Sequence, residues 1–219
     1  GVDLQPHRAG EAPRLQLVAS ISALAALLLG DSSMPRYGAT LTQIADTVLQ
    51  RALARRHDGS FPFAVLALGK YGSAELIPGS DLDVILLFSA DENAEHGHAE
   101  REHAVHEQAQ RLARDLIADL RGGVIPPLYE VDARLRPEGR NAPLAVTFDS
   151  WQRYLDERAS LWERQSLLRA RIAAGDPALG ARIMSVIDQQ RRARVLTHGD
   201  IAAVRSMRLK MEPENRFRQ

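Results

Sequence analysis

Asp81 and Asp83 bracket Leu82 at the head of an apolar run, LDVILLF (82–88), directly after a stretch rich in glycine and serine (69–80). On a strand, residues i and i+2 project from one face, so both carboxylates point the same way. Ile85 and Leu87 continue that face as apolar side chains, which puts the acids at the lip of a sheet, where core gives way to a cleft. Two close carboxylates repel, and at least one pKa rises unless a cation lies between them. Oxygen-only ligands suit a hard cation, so Mg²⁺ or Mn²⁺ is the expected metal. Asp132 supplies a third carboxylate if its strand lies beside the second one. Three acids can then hold metal ions that activate an attacking oxygen and grip a triphosphate. The preceding loop fits the same chemistry. Gly69 and Gly72 let backbone N–H groups approach phosphate closely. Lys70 adds a charge, and Ser73 and Ser80 add hydroxyls. The loop is not a Walker P-loop, because the glycine spacing is wrong and Tyr71 stands where Ser or Thr is required. Arg134 and Arg136 share the parity of Asp132. They either clamp phosphate or pair with Glu130 and Glu138.

These residues need a frame, and the hydrophobic pattern predicts one. FAVLALG (63–69) and LDVILLF (82–88) are short continuous apolar runs and read as buried strands. LYEVDARLR (128–136) alternates charged and apolar residues and reads as a third strand with one charged face. Helical spacing is expected over 14–29, over a segment that opens at an N-capping Thr40, and over 99–121, where Gly122 and Gly123 stop it. Residues 31–39 and 89–98 read as loops. Everything after about 148 reads as helix: 149–173, 177–194 and 200–212. The expected class is α+β, a small mixed sheet flanked by helices and followed by a helical bundle segment. The expected units are a helical or linker segment over 1–39, a sheet-containing domain over 40–148 and a helical segment over 149–219.

Composition removes several alternatives. The 28 basic and 28 acidic residues balance, so nothing demands a generic polyanion such as nucleic acid. There is no cysteine, hence no disulfide framework and no thiolate metal site, which fits a reducing cytoplasm. The longest apolar run (15–29) is too short for a membrane span and carries serine and glutamine. The opening and closing residues read as cuts from a longer protein. His96, His98, His103 and His106 cluster on what reads as a solvated helix face, and Trp151 and Trp162 read as packing residues.

The blocks LGKYGSAELIPGSDLDVILLF, YEVDARLRPEGRNAPLAV and WERQSLLRARIAAGDPALG, in that order, resemble the glutamine synthetase adenylyltransferase family of the nucleotidyltransferase superfamily. The resemblance covers most of residues 40–212. It implies a nucleotidyltransferase-type fold with ATP as substrate and Mg²⁺ at Asp81, Asp83 and Asp132. It also implies nucleotide contacts at Gly69, Lys70, Gly72, Ser73, Ser80, Arg134 and Arg136. Members of the family carry two such domains: one adds AMP to a glutamine synthetase tyrosine, the other removes it by phosphorolysis. GSDLD, LYEVDARLRP and VRSMRLKME are more similar to the adenylylating, carboxy-terminal copy. Glutamine synthetase and the PII signalling protein are the partners this resemblance implies. Tyr71 and Ser73 depart from the family's usual leucine and glycine. The removing activity and a non-catalytic nucleotide- or partner-binding module stay open as alternatives.

Overall fold

Ser33 precedes Met34 and Pro35, and a proline in the first turn forfeits no helical hydrogen bond. The computed structural model accordingly starts a helix at Met34, not at Thr40, and Thr40 lies inside it with its hydroxyl donating to Arg36 O at 2.9 Å. The structure describes residues 21–30, 33–90, 98–122 and 129–192, with positions 199, 202, 205 and 206. Residues 21–28 are helical and are called α1. The expectations for residues 14–20, 91–97, 123–128 and most of 193–219 lie outside the described residues.

The elements follow in the order α2 (Met34–Arg56), β1 (Phe63–Ala67), α3 (Gly69–Gly72), β2 (Leu82–Phe88) and α4 (His98–Arg121). Next come β3 (Val131–Asp132), β4 (Ala145–Thr147), α5 (Phe148–Glu157), α6 (Leu161–Ser166), β5 (Arg171–Gly175) and α7 (Pro177–Arg192). The five strands form one mixed sheet in the order β3-β2-β1-β5, with β4 also paired to β2. β1 runs antiparallel to β2, pairing Phe63 with Phe88 and Leu66 with Ile85, and antiparallel to β5. β3 and β4 both run parallel to β2, one after the other along the same edge.

Helices cover both faces. Phe63, Val65, Val84, Leu86 and Phe88 pack with Leu41, Leu49 and Leu53 of α2 and Leu112 and Leu116 of α4. Ala64, Leu66, Ile85 and Leu87 pack with Trp151 and Leu155 of α5 and Ile183 and Ile187 of α7. Strands buried on both faces read as unbroken apolar runs, which is why β1 and β2 match their expected positions.

Three further expectations are corrected. The strand expected over 128–136 pairs only at Val131–Asp132; the chain then leaves the sheet and returns as β4. The helix expected over 149–173 is three pieces. α5 ends at Glu157, and Ser160 with Glu163 forms a capping box that starts α6 afresh. Residues 171–175 are then a strand rather than a helix, the fourth along the sheet, because Gly175 at φ +117° brings the backbone against Phe63, where a side chain would collide. Finally, Trp151 is core but Trp162 is 43% exposed, since α6 buries none of its residues. Among the described residues no helix is long and apolar enough to cross a membrane.

Candidate active site

The turn after β1 is built to approach β2 closely. Gly69 has φ +55°, and a Cβ there would collide with Asp83 Oδ2. Gly72 packs so tightly that a Cβ would lie 2.8 Å from Ala67 O and closer still to Arg169 O. Glycine at 69 lets α3 sit against the head of β2, and glycine at 72 lets it sit against the end of β1 and the backbone at Arg169. Below it, Tyr71 is fully buried, and the Arg171 guanidinium lies 5.0 Å from its ring centroid. Arg171 also donates to Tyr71 O at 3.2 Å and to Asp46 Oδ1 at 2.9 Å. This staple ties α3 to α2 and β5. Sequence reasoning missed it, because Arg171 fell inside an expected helix.

The register of β2 on β3 sets Asp83 opposite Asp132. Cross-strand partners share a face, and Asp81 lies two residues before Asp83, so three carboxylates gather at the end of the sheet. Asp81 is exposed, while Asp83 and Asp132 are half-buried. Burial first, and then repulsion from Asp132 and Asp81, push the Asp83 pKa up to about 6, against the opposing pull of Arg134 and Lys70. Arg134 forks onto Asp132: its Nε lies 2.8 Å from both carboxylate oxygens, its Nη2 meets Oδ2, and its N–H donates to Oδ1 at 2.8 Å. Arg134 therefore pairs with Asp132, not with Glu130, which pairs with Arg121 at 3.3 Å. Glu138 pairs with Arg158 at 3.2 Å.

Arg136 stands close by but is turned inward onto backbone carbonyls. It is 9% exposed, and its guanidinium donates to Ala133 O at 2.5 Å, Pro143 O at 2.9 Å and Ala142 O at 3.0 Å. It binds both ends of the excursion between β3 and β4, which makes it a positioning residue for Asp132. Lys70 is exposed beside Asp83. The Ser73 hydroxyl lies 2.9 Å from Glu75 Oε2 and 3.1 Å from Gly69 O, and Ser80 Oγ accepts from the Ile77 N–H at 3.1 Å. Both serines thus shape the loop. Of the histidines, His103 is exposed and pairs with Glu107 at 3.5 Å, whereas His106 packs edge-on to Phe88. His96 and the side chain of His98 lie outside the described residues.

Among the described residues, no three acidic or imidazole groups stand close enough to cage a metal ion. The donor set still has the chemistry of a hard-cation site: all three groups are carboxylates, and repulsion from Asp132 and Asp81, which adds to burial in raising the Asp83 pKa, is what a cation would relieve.

Fold and site together define a mixed α/β domain that gathers acids from two parallel neighbouring strands beside a glycine turn. A family model described as glutamate-ammonia ligase adenylyltransferase matches residues 9–186, and the chain belongs to that family. It is 36% identical over 201 residues to a bifunctional glutamine synthetase adenylyltransferase/adenylyl-removing enzyme of Brucella suis, a match covering 85% of this chain and 20% of that protein. The relative of the same description from Bartonella quintana is 35% identical over 211 residues, covering 87% of this chain and 21% of the relative. The Bifidobacterium longum relative is 36% identical over 157 residues, covering 68% and 14%. The chain thus spans about a fifth of the length of the curated relatives it matches most fully.

Proposed function

We propose that this chain transfers AMP from ATP to a tyrosine of glutamine synthetase, as the adenylylating copy of a bifunctional protein. The observation that carries the reading is the register of Asp83 on Asp132, one strand away from the turn at Gly69. Glycine turn, paired acids and third acid are the parts that moving a nucleotidyl group requires.

In this reading the triphosphate lies over Gly69–Ser73, with Lys70 beside it and Ser80 holding the loop. The tyrosine oxygen attacks the α-phosphorus. A bond forms between them, the bond from the α-phosphorus to the bridging oxygen breaks, and pyrophosphate leaves. Asp132 orients the hydroxyl and takes its proton. Arg134 exchanges its carboxylate partner for phosphate oxygens as charge develops there. Mg²⁺ or Mn²⁺ held by Asp81, Asp83 and Asp132 would supply neutralising charge to the phosphates. Glutamine synthetase and the PII signalling protein are the proposed partners, in the cytoplasm.

The test mixes the chain with unmodified glutamine synthetase, Mg²⁺ and ATP labelled in its adenosine. Label should pass to the synthetase and fall at least about hundredfold in the double variant Asp81→Ala/Asp83→Ala. Loss of label from pre-adenylylated synthetase on adding phosphate, with no forward transfer, would assign the removing activity instead. Binding without either activity would make the chain a regulatory module.

A further inference from the structure

A cleft of about 380 Å³ opens on the flank of the carboxylates away from α3, between the edge at β3 and the helix α4. Asp81 and Asp132 line it, while no residue of the turn 69–73 does. Ile117 of α4, Val131 of β3 and Leu144 give it a half-buried aliphatic wall. The Arg121–Glu130 ion pair, Ala133, Arg134 and Arg136 complete its lining. The chemistry is mixed in a particular way: an apolar wall beside three acids and three arginines.

Displacement at phosphorus is in line, so the entering oxygen and the leaving pyrophosphate lie on opposite sides of the attacked atom. With the β- and γ-phosphates over α3, the leaving group departs on the β1 side of Asp83. The entering oxygen must then come from the β3 side, and the cleft is what the structure offers there. Its three acids balance its three arginines, so it carries no net charge to draw in a phosphate, and its aliphatic wall suits a flat, uncharged ring. We propose that this cleft seats the ring of the acceptor tyrosine, with Ile117 and Leu144 as specificity-determining contacts and the phenolic oxygen directed at Asp132. The inference rests on the transfer reading given above. It holds for either sense of the reaction, because phosphorolysis returns along the same line with tyrosine as the leaving group.

The experiment uses the full chain with glutamine synthetase as acceptor. Leu144→Trp fills the cleft. The KM for the synthetase should rise about tenfold or more, while ATP affinity, measured by calorimetry, stays as in the parent. Ile117→Ala removes part of the same wall and should show the same split; it carries the test if the tryptophan variant fails to fold. Weakened ATP binding with an unchanged acceptor KM would put the adenosine in the cleft and overturn the proposal, as would no change in either. The double variant Asp81→Ala/Asp83→Ala separates the two levels. If the parent itself transfers no AMP, the functional reading fails; if the double variant still transfers it, the placement of the reaction at these acids fails, and the cleft assignment with it. If the double variant is dead and Leu144→Trp keeps the parent acceptor KM, the cleft assignment alone fails.

Discussion

Burial and two neighbouring acids raise the Asp83 pKa to about 6, so its charge at neutral pH costs the metal-free fold stability. A carboxyl whose pKa is raised on folding stabilises the fold while it is protonated. That contribution is complete below the unfolded pKa, near 4, and is lost as pH rises through about 6. The whole shift would correspond to about 3 kcal/mol, and solvent reaching this half-buried side chain reduces it to about 1–2 kcal/mol. Asp83→Asn should therefore unfold at higher urea than the parent at pH 7.5 in chelator, with the advantage shrinking to nothing near pH 4. A pH-independent difference would show that Asp83 feels neither burial nor its neighbours. Gly69 tests the other side of the same contact. Gly69→Ala adds a methyl group against Asp83 Oδ2 at a positive φ, which should cost about 1–3 kcal/mol and abolish transfer. Thermal melting and the label assay check the two effects separately. Trimming Asp83 to Ala in the Gly69→Ala background should recover part of the lost stability but none of the activity.

At the scale of elements, the excursion between β3 and β4 decides where Asp132 stands. Two strand residues cannot hold a register alone, and Arg136 secures the excursion by donating to carbonyls at both its ends. Arg136→Met keeps the buried volume and removes the donors. Leaving these carbonyls unpaired should cost about 2–4 kcal/mol. Transfer should fall with little change in ATP affinity, because the nucleotide turn is anchored separately, through Arg171 and Tyr71. Parent-like stability in urea would remove Arg136 from this role. The element also shows what the sequence could disclose. The i, i+2 spacing of Asp81 and Asp83 and the alternation around Asp132 sufficed to find the acids, since strand parity is local information. The same alternation placed Arg136 on the charged face. Only the return of the chain at Ala145, a tertiary event, turns it into a buried staple. Pro35 was read as a loop residue because a proline inside a helix and one in its first turn look alike until the first turn is known. The strand Arg171–Gly175 was hidden for a related reason. Ala173 and Ala174 favour helix by propensity, and only the pairing of Arg171, Ile172, Ala174 and Gly175 with β1, around an irregularity at Ala173, overrides it.

For the whole molecule, that hidden strand changes what the C-terminal segment does. β5 pairs with β1, the strand that delivers the glycine turn, and α5 and α7 cover the sheet face that ends in the acids. Trp151, Leu155, Ile183 and Ile187 are the side chains that bury Ala64, Leu66, Ile85 and Leu87. A chain ending at residue 148 would uncover that whole face, and an exposed apolar sheet with a free edge associates with copies of itself. It would also lose Arg171, and with it the link from Asp46 to the turn at Tyr71. Residues 1–148 alone should therefore lack a cooperative melting transition and elute as aggregates on size exclusion, while residues 1–192 should melt cooperatively as a soluble species. The difference is one of physical cover, since both chains contain all three acids and both glycines. A soluble, cooperatively folding 1–148 would mean that the sheet is stable with one face bare. The helices after β4 would then be accessories to the site, not part of the frame that holds Asp83 against Gly69.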